Sequence, residues 1–366
     1  MECGIVGLPK SGKTTVFNAL TRGTAEVSPH PSAASQPNVG MAKIPDPRLQ
    51  QLEELFHPKR SVPAEIRLID IPAPAQSFGR GGGLSRQFVT HLSPVDTLLH
   101  VVRAFEEESL PHTEGSLDPA RDVATLDLEL AFSDLLILER RVERLGEALK
   151  GAKAHEREPL LREQALLAKI KAALEQEIPV YAQGLDPEEA KAIRHYRFLT
   201  TKPLLVVLNI GESQIAQAQQ LESELLRRYS RPRFQVAALC GKLEMELSQL
   251  GDDEAREYAL ALGLEEQRRY RVLQLCYQLA GAVTFYTVVS HETRAWTIPQ
   301  GTSALKAAGK IHSDMERGFI RAEVVSFDDL AKCGSLSEAR KHGLLHVEGK
   351  EYIVHDGDVI TFLFNV

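Results

Sequence analysis

The first hundred residues alternate short apolar runs with loops. The apolar runs that predict strands lie at 1–6, 39–44, 65–69 and 97–102. A glycine-containing loop at 7–13 follows the first run, and apolar side chains at helical spacing over 14–21 then predict a helix. Residues 28–47 hold five prolines and no helical period. This stretch therefore predicts a long loop in which the second strand is embedded.

A long helical pattern begins near residue 119. Over 119–150, apolar residues recur at spacing seven and charged residues fill the positions between them. After a polar turn near 151–158, a second stretch over 160–174 repeats this pattern. Two heptad-like helices joined by a short turn predict an antiparallel helical hairpin.

Strand patterns return after the hairpin. An apolar run at 204–208 ends on Asn209, a helix is predicted at 214–229, and a strand at 234–239 follows. A further helix is predicted at 265–281. This alternation, interrupted by the hairpin, predicts an α/β fold with a mostly parallel sheet.

The last part of the chain consists of short predicted strands and turns. These strands lie at 285–290, 294–298, 321–325, 352–354 and 359–364. With a helix predicted at 304–312, they suggest a small β-grasp-like domain. The predicted domains are a discontinuous domain at 1–104 and 200–282, a helical insertion at 105–199, and a C-terminal domain at 283–366.

Composition narrows the functional classes. The 366 residues carry a formal net charge of −7, which argues against a broad electrostatic grip on nucleic acid. No apolar run reaches the roughly 18 residues of a membrane span, and the N-terminus lacks a signal-peptide pattern. The four cysteines never form CxxC, so we expect reduced thiols. We expect a cytoplasmic monomer with no DNA and no membrane partner.

The segment GLPKSGKT at 7–14 matches the phosphate-loop pattern GxxxxGK[ST] in full. Its glycines let the backbone curl so that N–H groups point at phosphate oxygens, and the following helix adds its positive N-terminus. Lys13 can reach the β- and γ-phosphates, and the Thr14 hydroxyl can ligate Mg²⁺. Because the match lies between a predicted strand and a predicted helix, we expect nucleotide binding.

Later strands end on further polar residues. Asp70 ends a predicted strand, the place for an acid that holds Mg²⁺ with Thr14. Asn209 and Glu212 follow another strand, where a GTPase carries NxxD and its carboxylate bonds the guanine donors; a plain turn is the alternative. The residues that we expect to contact the nucleotide are Gly7, Pro9, Lys10, Ser11, Gly12, Lys13, Thr14, Thr15, Asn209, Glu212, Cys240 and Gly241. The expected metal ligands are Thr14 and Asp70.

Together with other segments, these motifs resemble the YchF group of Obg-related P-loop NTPases, also called Obg-like ATPases. The segments that carry the resemblance are CGIVGLP at 3–9, PN at 37–38, DI at 70–71, HVVR at 100–103, NIGE at 209–212, RAWTIP at 294–299, AGKIH at 308–312, GFIRA at 318–322, DGD at 356–358 and FLFN at 362–365. They span essentially the whole chain, as in a divergent paralogue. The resemblance implies a G domain with an inserted helical coiled coil and a C-terminal TGS domain.

The resemblance also implies an activity. The family carries NxxE, which implies a preference for ATP over GTP, and its members associate with ribosomes. In place of the glutamine of Ras-like enzymes, the family is thought to use a histidine from a loop. His112 stands at the matching position, and a neutral imidazole can accept a water proton near pH 7.

Three positions depart from the family pattern. Ala34 stands where the first switch has a threonine, with only Ser32 and Ser35 nearby. Ala73 replaces the glycine of DxAG after the third strand and lies between two prolines, which stiffen the segment. Lys10 replaces an asparagine that helps to seat a monovalent cation, and its ammonium can occupy that charge position. K⁺ therefore stays a weak candidate cofactor beside Mg²⁺ and ATP or GTP.

Two functions fit these residues. The first is a slow ATPase or GTPase coupled to the ribosome or another RNA–protein assembly, favoured by Lys13, Thr14, Asp70 and His112. The second is a non-hydrolysing nucleotide-binding scaffold, favoured by the departures. A P-loop small-molecule kinase is disfavoured by the C-terminal motifs. Basic clusters at 227–233 and 268–271 are either solvated helix ends or RNA contacts.

Overall fold

Twelve strands and fourteen α-helices make up the part of the chain that the computed structural model describes, namely residues 1–27, 36–72, 84, 86–107, 109–112, 115–261, 268–289 and 291–365. The strands are β1 Glu2–Val6, β2 Asn38–Lys43, β3 Arg60–Val62, β4 Glu65–Asp70, β5 Thr97–Arg103, β6 Leu204–Asn209, β7 Phe234–Leu239, β8 Ala282–Val289, β9 Glu292–Pro299, β10 Phe319–Ser326, β11 His346–Glu348 and β12 Asp358–Phe364. The helices are α1 Lys13–Thr21, α2 Pro47–Phe56, α3 Arg86–Leu92, α4 Pro119–Gly151, α5 Ala154–Leu174, α6 Pro187–Ile193, α7 Ala218–Arg228, α8 Gly241–Ser248, α9 Asp252–Ala261, α10 Arg268–Leu279, α11 Ala304–Ile311, α12 Ser313–Arg317, α13 Phe327–Cys333 and α14 Leu336–Lys341.

Two compact units divide the chain. One comprises residues 2–40 and 68–272, and the other comprises residue 1 with 41–67 and 273–366. The segment 41–67, which the sequence assigned to the first domain, thus groups with the C-terminal residues. The three domain boundaries predicted from the sequence stay a prediction.

The larger unit is built on a six-stranded sheet in the order β2-β4-β1-β5-β6-β7. Strands β1, β5, β6 and β7 pair in parallel, and all residues of β5 and β6 are buried. Strands buried on both faces read as continuous apolar runs because helices cover both sides of a parallel sheet. The carboxyl ends of β1, β5 and β6 lie at one edge, where loops form the candidate site.

Helices α4 and α5 form the predicted hairpin. Arg141 on α4 pairs with Glu163 on α5, and the Glu139 carboxylate on α4 lies 3.7 Å from the Lys171 ammonium on α5. Because the earlier residue of α4 meets the later residue of α5, the two helices run antiparallel. The predicted polar turn at 151–158 is wrong, because α5 already begins at Ala154. The Glu156 carboxylate accepts the backbone N–H of residue 153 and caps the helix at that point.

The C-terminal unit contains a second six-stranded sheet in the order β11-β10-β12-β8-β9-β3. Its core packs Phe285, Ile298 and Phe362 against the small residues of α11. The strand predicted at 352–354 is wrong, since Ile353 makes only an isolated bridge to Ser303. The strand in this region is β11, which pairs with β10.

Candidate functional site

The loop between β1 and α1 curls tightly around its own carbonyl groups. Gly7 and Gly12 have φ angles of 153° and 86°, in the region that favours glycine. A Cβ atom on Gly7 would lie 2.3 Å from the backbone oxygen of Val101. At Gly12 a Cβ would lie 2.2 Å from the Asn209 side chain. Only glycine fits at both positions, and the resulting curl is the form that presents backbone N–H groups to an anion.

Lys13 places its charge inside this loop. Its ammonium donates to the carbonyls of Gly7 and Leu8 at 3.0 and 3.1 Å. Burial of this ammonium lowers the pKa of Lys13 to about 8, and the Asp70 carboxylate partly opposes that shift. A half-buried ammonium bonded to two neutral carbonyls is well placed to bind a phosphate.

Thr14 and Asp70 meet beside Lys13, as the sequence predicts for metal ligands. The Thr14 hydroxyl donates to Asp70 Oδ2 at 2.8 Å, and the Asn38 amide donates to the same oxygen at 3.3 Å. Asp70 is 3% exposed. Its second oxygen, Oδ1, is buried and has no hydrogen-bond partner among the described residues. A hydroxyl and a carboxylate with spare acceptor capacity fit Mg²⁺, which prefers oxygen ligands.

Asn209 ties the phosphate loop to a second loop. Its amide Nδ2 donates to the Ser11 carbonyl at 2.9 Å, and its Oδ1 accepts the Gly241 N–H at 3.0 Å. Asn209 is 4% exposed. Gly241 opens α8 directly after Cys240, whose thiol pKa is raised by burial. The structure thus brings these three predicted residues together at the phosphate loop.

The remaining predicted nucleotide residues vary in exposure. Glu212 is exposed, and its carboxylate lies 3.9 Å from the Lys242 ammonium. Ser11 is buried, and its hydroxyl has no partner within the described ranges. Pro9 and Thr15 are half-buried on either side of it. The predictions at Ala34, Ser32, Ser35 and Ala73 lie outside the described residues.

The loop after β5 is organised by Arg103, the last residue of that strand. Its guanidinium donates to the carbonyls of Phe105 at 3.1 Å, Leu110 at 2.6 Å and Glu107 at 3.4 Å, and it covers the Phe105 ring. The sequence singled out this arginine only as part of a resemblance motif. This one buried side chain satisfies three loop carbonyls and adds to the backbone hydrogen bond from Leu110 N–H to the Glu107 carbonyl at 3.1 Å.

The same loop reaches the phosphate loop and carries the predicted catalytic residue. The Lys10 ammonium donates to the Pro111 carbonyl at 3.4 Å. His112 Nε2 lies 3.1 Å from Asp122 Oδ2, and Asp122 is 2% exposed. Sequence reasoning missed this carboxylate, because a spacing of ten residues between a loop and a helix is not a recognisable pattern.

The two basic clusters are largely committed to contacts within the larger unit. Arg231 is buried and donates to Asp127 and to the carbonyls of Thr200 and Lys202. Arg271 forms a bidentate pair with Glu222. The interpretation as a solvated helix end is wrong for Arg231, whose side chain is buried, whereas the Arg271 side chain stays 43% exposed beside Glu222.

Two features are absent from the described residues. No cluster of three or more His, Cys, Asp or Glu side chains that could hold a metal occurs among them. Within the same residues, no helix combines the length and apolar character that crossing a membrane requires.

Known proteins are similar to this chain over its whole length. The family model YchF-GTPase_C, described as a protein of unknown function, matches residues 282–365, and one described as a 50S ribosome-binding GTPase matches residues 2–131. The Ribosome-binding ATPase YchF of Bacillus subtilis (strain 168) is 39% identical over 368 residues, which cover 100% of both chains. Its counterpart from Escherichia coli O157:H7 is 39% identical over 365 residues, which cover 100% of this chain and 99% of the relative.

A solved structure gives the same result. The Schizosaccharomyces pombe YchF GTPase superposes with a TM-score of 0.85 at 29% identity, covering 99% of this chain and 97% of its own. The fold is therefore that of a P-loop G domain followed by the C-terminal domain of these proteins, which confirms the resemblance drawn from the motifs. The chain belongs to the YchF family of nucleotide-binding P-loop proteins.

Proposed function

We propose that this protein binds a nucleoside triphosphate with Mg²⁺ and hydrolyses it slowly. The observation that carries the proposal is the contact between the Thr14 hydroxyl and Asp70 Oδ2 at 2.8 Å, next to the ammonium of Lys13. Together these groups supply a phosphate-binding cation and a pair of oxygen ligands at one loop. Such a cation and such oxygen ligands are two of the parts that recur in proteins that carry out phosphoryl transfer.

Thr14 and Asp70 are the residues that would hold Mg²⁺. When bound, the ion neutralises charge that develops on the β- and γ-phosphate oxygens. The curled backbone from Gly7 to Gly12 directs N–H groups at the phosphates, and the N-terminus of α1 adds its partial positive charge. His112 would accept a proton from the attacking water, and Arg103 would keep its loop in place.

The base is expected to lie near Asn209 and Glu212. Glu212 is a longer carboxylate than the aspartate that pairs with guanine in GTPases, and it lies close to Lys242. We expect ATP to be preferred over GTP. Of the three similar proteins described above, two are named ATPases and one is named a GTPase, and competition between ATP and GTP measures the preference of this protein.

Single-turnover hydrolysis with ATP and GTP tests this proposal. We expect release of phosphate from bound ATP at a rate below that of relatives with threonine and glycine at the positions of Ala34 and Ala73. Lys13→Ala serves as the control without phosphate binding. Tight binding with no phosphate release would instead support the non-hydrolysing scaffold, and turnover as fast as in typical relatives would refute the effect of the two alanines.

Lys10 is proposed to replace a monovalent cation at the phosphate loop. Its side chain already reaches across to the Pro111 carbonyl, so the ammonium lies near the loop that carries His112. Hydrolysis by the native protein should be equal in Na⁺ and K⁺. Lys10→Asn should lose activity that K⁺ restores, and a variant with full activity in the absence of K⁺ would contradict this role.

Association with the ribosome is proposed from relatives that carry the name ribosome-binding ATPase, and it would place the protein in the cytoplasm. The net charge of −7 favours contact through small patches rather than through a broad basic face. Co-sedimentation with ribosomes in the presence of ATP tests this. Binding should weaken as salt rises, and absence from the ribosomal pellet under every nucleotide condition would contradict the proposal.

A further inference from the structure

Two side chains bind the loop that carries His112, and a third contacts the histidine itself. Arg103 donates to the carbonyls of Phe105 and Leu110, which precede His112 in the loop, and Lys10 donates to the carbonyl of the adjacent Pro111. The third contact comes from α4, where Asp122 Oδ2 lies 3.1 Å from the Nε2 atom of the imidazole. The histidine side chain is 8% exposed and that of the aspartate is 2% exposed.

The Asp122 carboxylate is itself held on its other oxygen. Arg121 donates to Oδ1 through Nε at 3.1 Å and through Nη2 at 2.8 Å. The same guanidinium donates to the hydroxyl and the carbonyl of Ser116. The carboxylate therefore has a fixed orientation, with one oxygen on the arginine and the other on the imidazole.

We infer that Asp122 is a positioning residue that orients His112 and selects its tautomer; this inference rests on the proposed catalytic role of His112. A carboxylate has only acceptors to offer, so the nitrogen that faces it must carry a proton. In the neutral ring Nδ1 is then the basic nitrogen. Histidines that act as bases or metal ligands are commonly oriented in this way by a carboxylate on the opposite nitrogen.

If Asp122 only stabilised the start of α4, its loss would slow hydrolysis no more than the loss of another acid at the same terminus. An acid in the first turn of a helix stabilises the helix terminus by its charge alone. Asp118 offers the matched control, because it lies at the same terminus, four residues before Asp122, and caps the N–H groups of Ala120 and Arg121. Asp118→Asn removes the same charge and keeps a good capping residue.

The test compares Asp122→Asn, His112→Ala, the double variant and Asp118→Asn in single-turnover ATP hydrolysis. Loss of an orienting partner typically costs about 10- to 100-fold, so we expect Asp122→Asn to lower the rate at saturating ATP by that factor, with ATP affinity changed less than about twofold. The double variant should be no slower than His112→Ala, because Asp122 acts through that ring. Asp118→Asn should stay within about twofold of the native rate.

Three kinetic results would overturn the inference. These are a native or faster rate for Asp122→Asn, additive losses in the double variant, and an equal loss for Asp118→Asn. A slow His112→Ala beside a normal Asp122→Asn rejects only the role of Asp122. A normal His112→Ala, or a native protein that hydrolyses neither ATP nor GTP, rejects the catalytic proposal and the role of Asp122 with it.

A spectroscopic measurement tests the tautomer without turnover and without a variant of Asp122. In nucleotide-free protein labelled with ¹⁵N-histidine, two-bond ¹H–¹⁵N correlations distinguish the two neutral tautomers, and the His112 signals are identified by their loss in His112→Ala. We expect the proton on Nε2. A ring with its proton on Nδ1 would overturn the inference even if Asp122→Asn failed to fold.

Discussion

Asn209 joins the two loops of the nucleotide site, and its removal should loosen both. Asn209→Ala deletes the donor to the Ser11 carbonyl and the acceptor for the Gly241 N–H, and both of these backbone groups are buried with it. Each unsatisfied buried group costs about 1–3 kcal/mol. Two such groups together cost about 2–6 kcal/mol, and because the two loops can shift to regain part of this hydrogen bonding, we expect a loss of about 2–4 kcal/mol of local stability.

Amide hydrogen exchange of the nucleotide-free protein measures this loss locally. Since 1.4 kcal/mol is a factor of ten, the Gly241 amide should exchange about 30- to 1000-fold faster in the variant. Asn365→Ala makes the same chemical change at an exposed asparagine of the C-terminal unit and should leave that amide unchanged. Exchange at Gly241 within about threefold of the native rate would show that the Asn209 contacts contribute little, and it would refute this reasoning.

The remaining predictions concern the Lys13 ammonium, the Asp134 carboxylate and Gly12. Because the pKa of Lys13 is lowered from 10.5 to about 8, the Lys13 side chain binds fewer protons in the folded protein than in the unfolded chain at pH values between these two. The free energy of unfolding of the nucleotide-free protein, relative to Lys13→Met, should therefore rise between pH 8 and 10, and a flat difference would contradict the shift. Asp134 Oδ1 accepts the N–H of Leu199 at 2.7 Å, and Oδ2 accepts the N–H and the hydroxyl of Thr200. Asp134→Asn replaces one of these acceptor oxygens by an amide donor, so denaturant unfolding should show a free energy of unfolding lower by about 2–4 kcal/mol. Gly12→Ala should abolish calorimetric ATP binding because its Cβ would collide with Asn209, and retained affinity would show that the loop can relax.

The phosphate loop was predictable because all of its chemistry lies in one contiguous motif. Thr14 and Asp70 are 56 residues apart, yet their meeting also follows from the sequence. Asp70 ends β4 and the loop follows β1, and these two strands are neighbours in the sheet. Strand ends in a doubly covered α/β sheet converge at one edge, so a polar residue at each end suffices for the prediction.

Several short helices could not be recognised from the apolar pattern. Helix α2 begins at Pro47, the last residue of the predicted loop, and no element is predicted from the sequence over 48–56, although Asp46 caps the helix and Pro47 occupies its first turn. Proline is favourable at that position because its missing N–H would have no intrahelical partner. A proline at the end of a predicted loop therefore marks the start of a helix here, because a capping residue precedes it.

The contacts around His112 depended on tertiary structure. Arg103, Lys10 and Asp122 come from a strand end, the phosphate loop and a helix, and no spacing in the sequence relates them. The same holds for Arg231, whose cluster suggested an open basic surface but whose guanidinium is buried against Asp127. The spacing of charged residues along the chain does not show which of them are buried, because burial depends on the fold.

Calorimetric titration of the native protein and Asp70→Asn with ATP, with and without Mg²⁺, tests the central claim most directly. The native protein should bind ATP, and Mg²⁺ should tighten that binding. Asp70→Asn should still bind ATP through Lys13 and the loop but lose most of the Mg²⁺ effect. Absence of binding heat for the native protein with ATP, ADP, GTP and GDP, or an equal Mg²⁺ effect in both proteins, would contradict the account of this site.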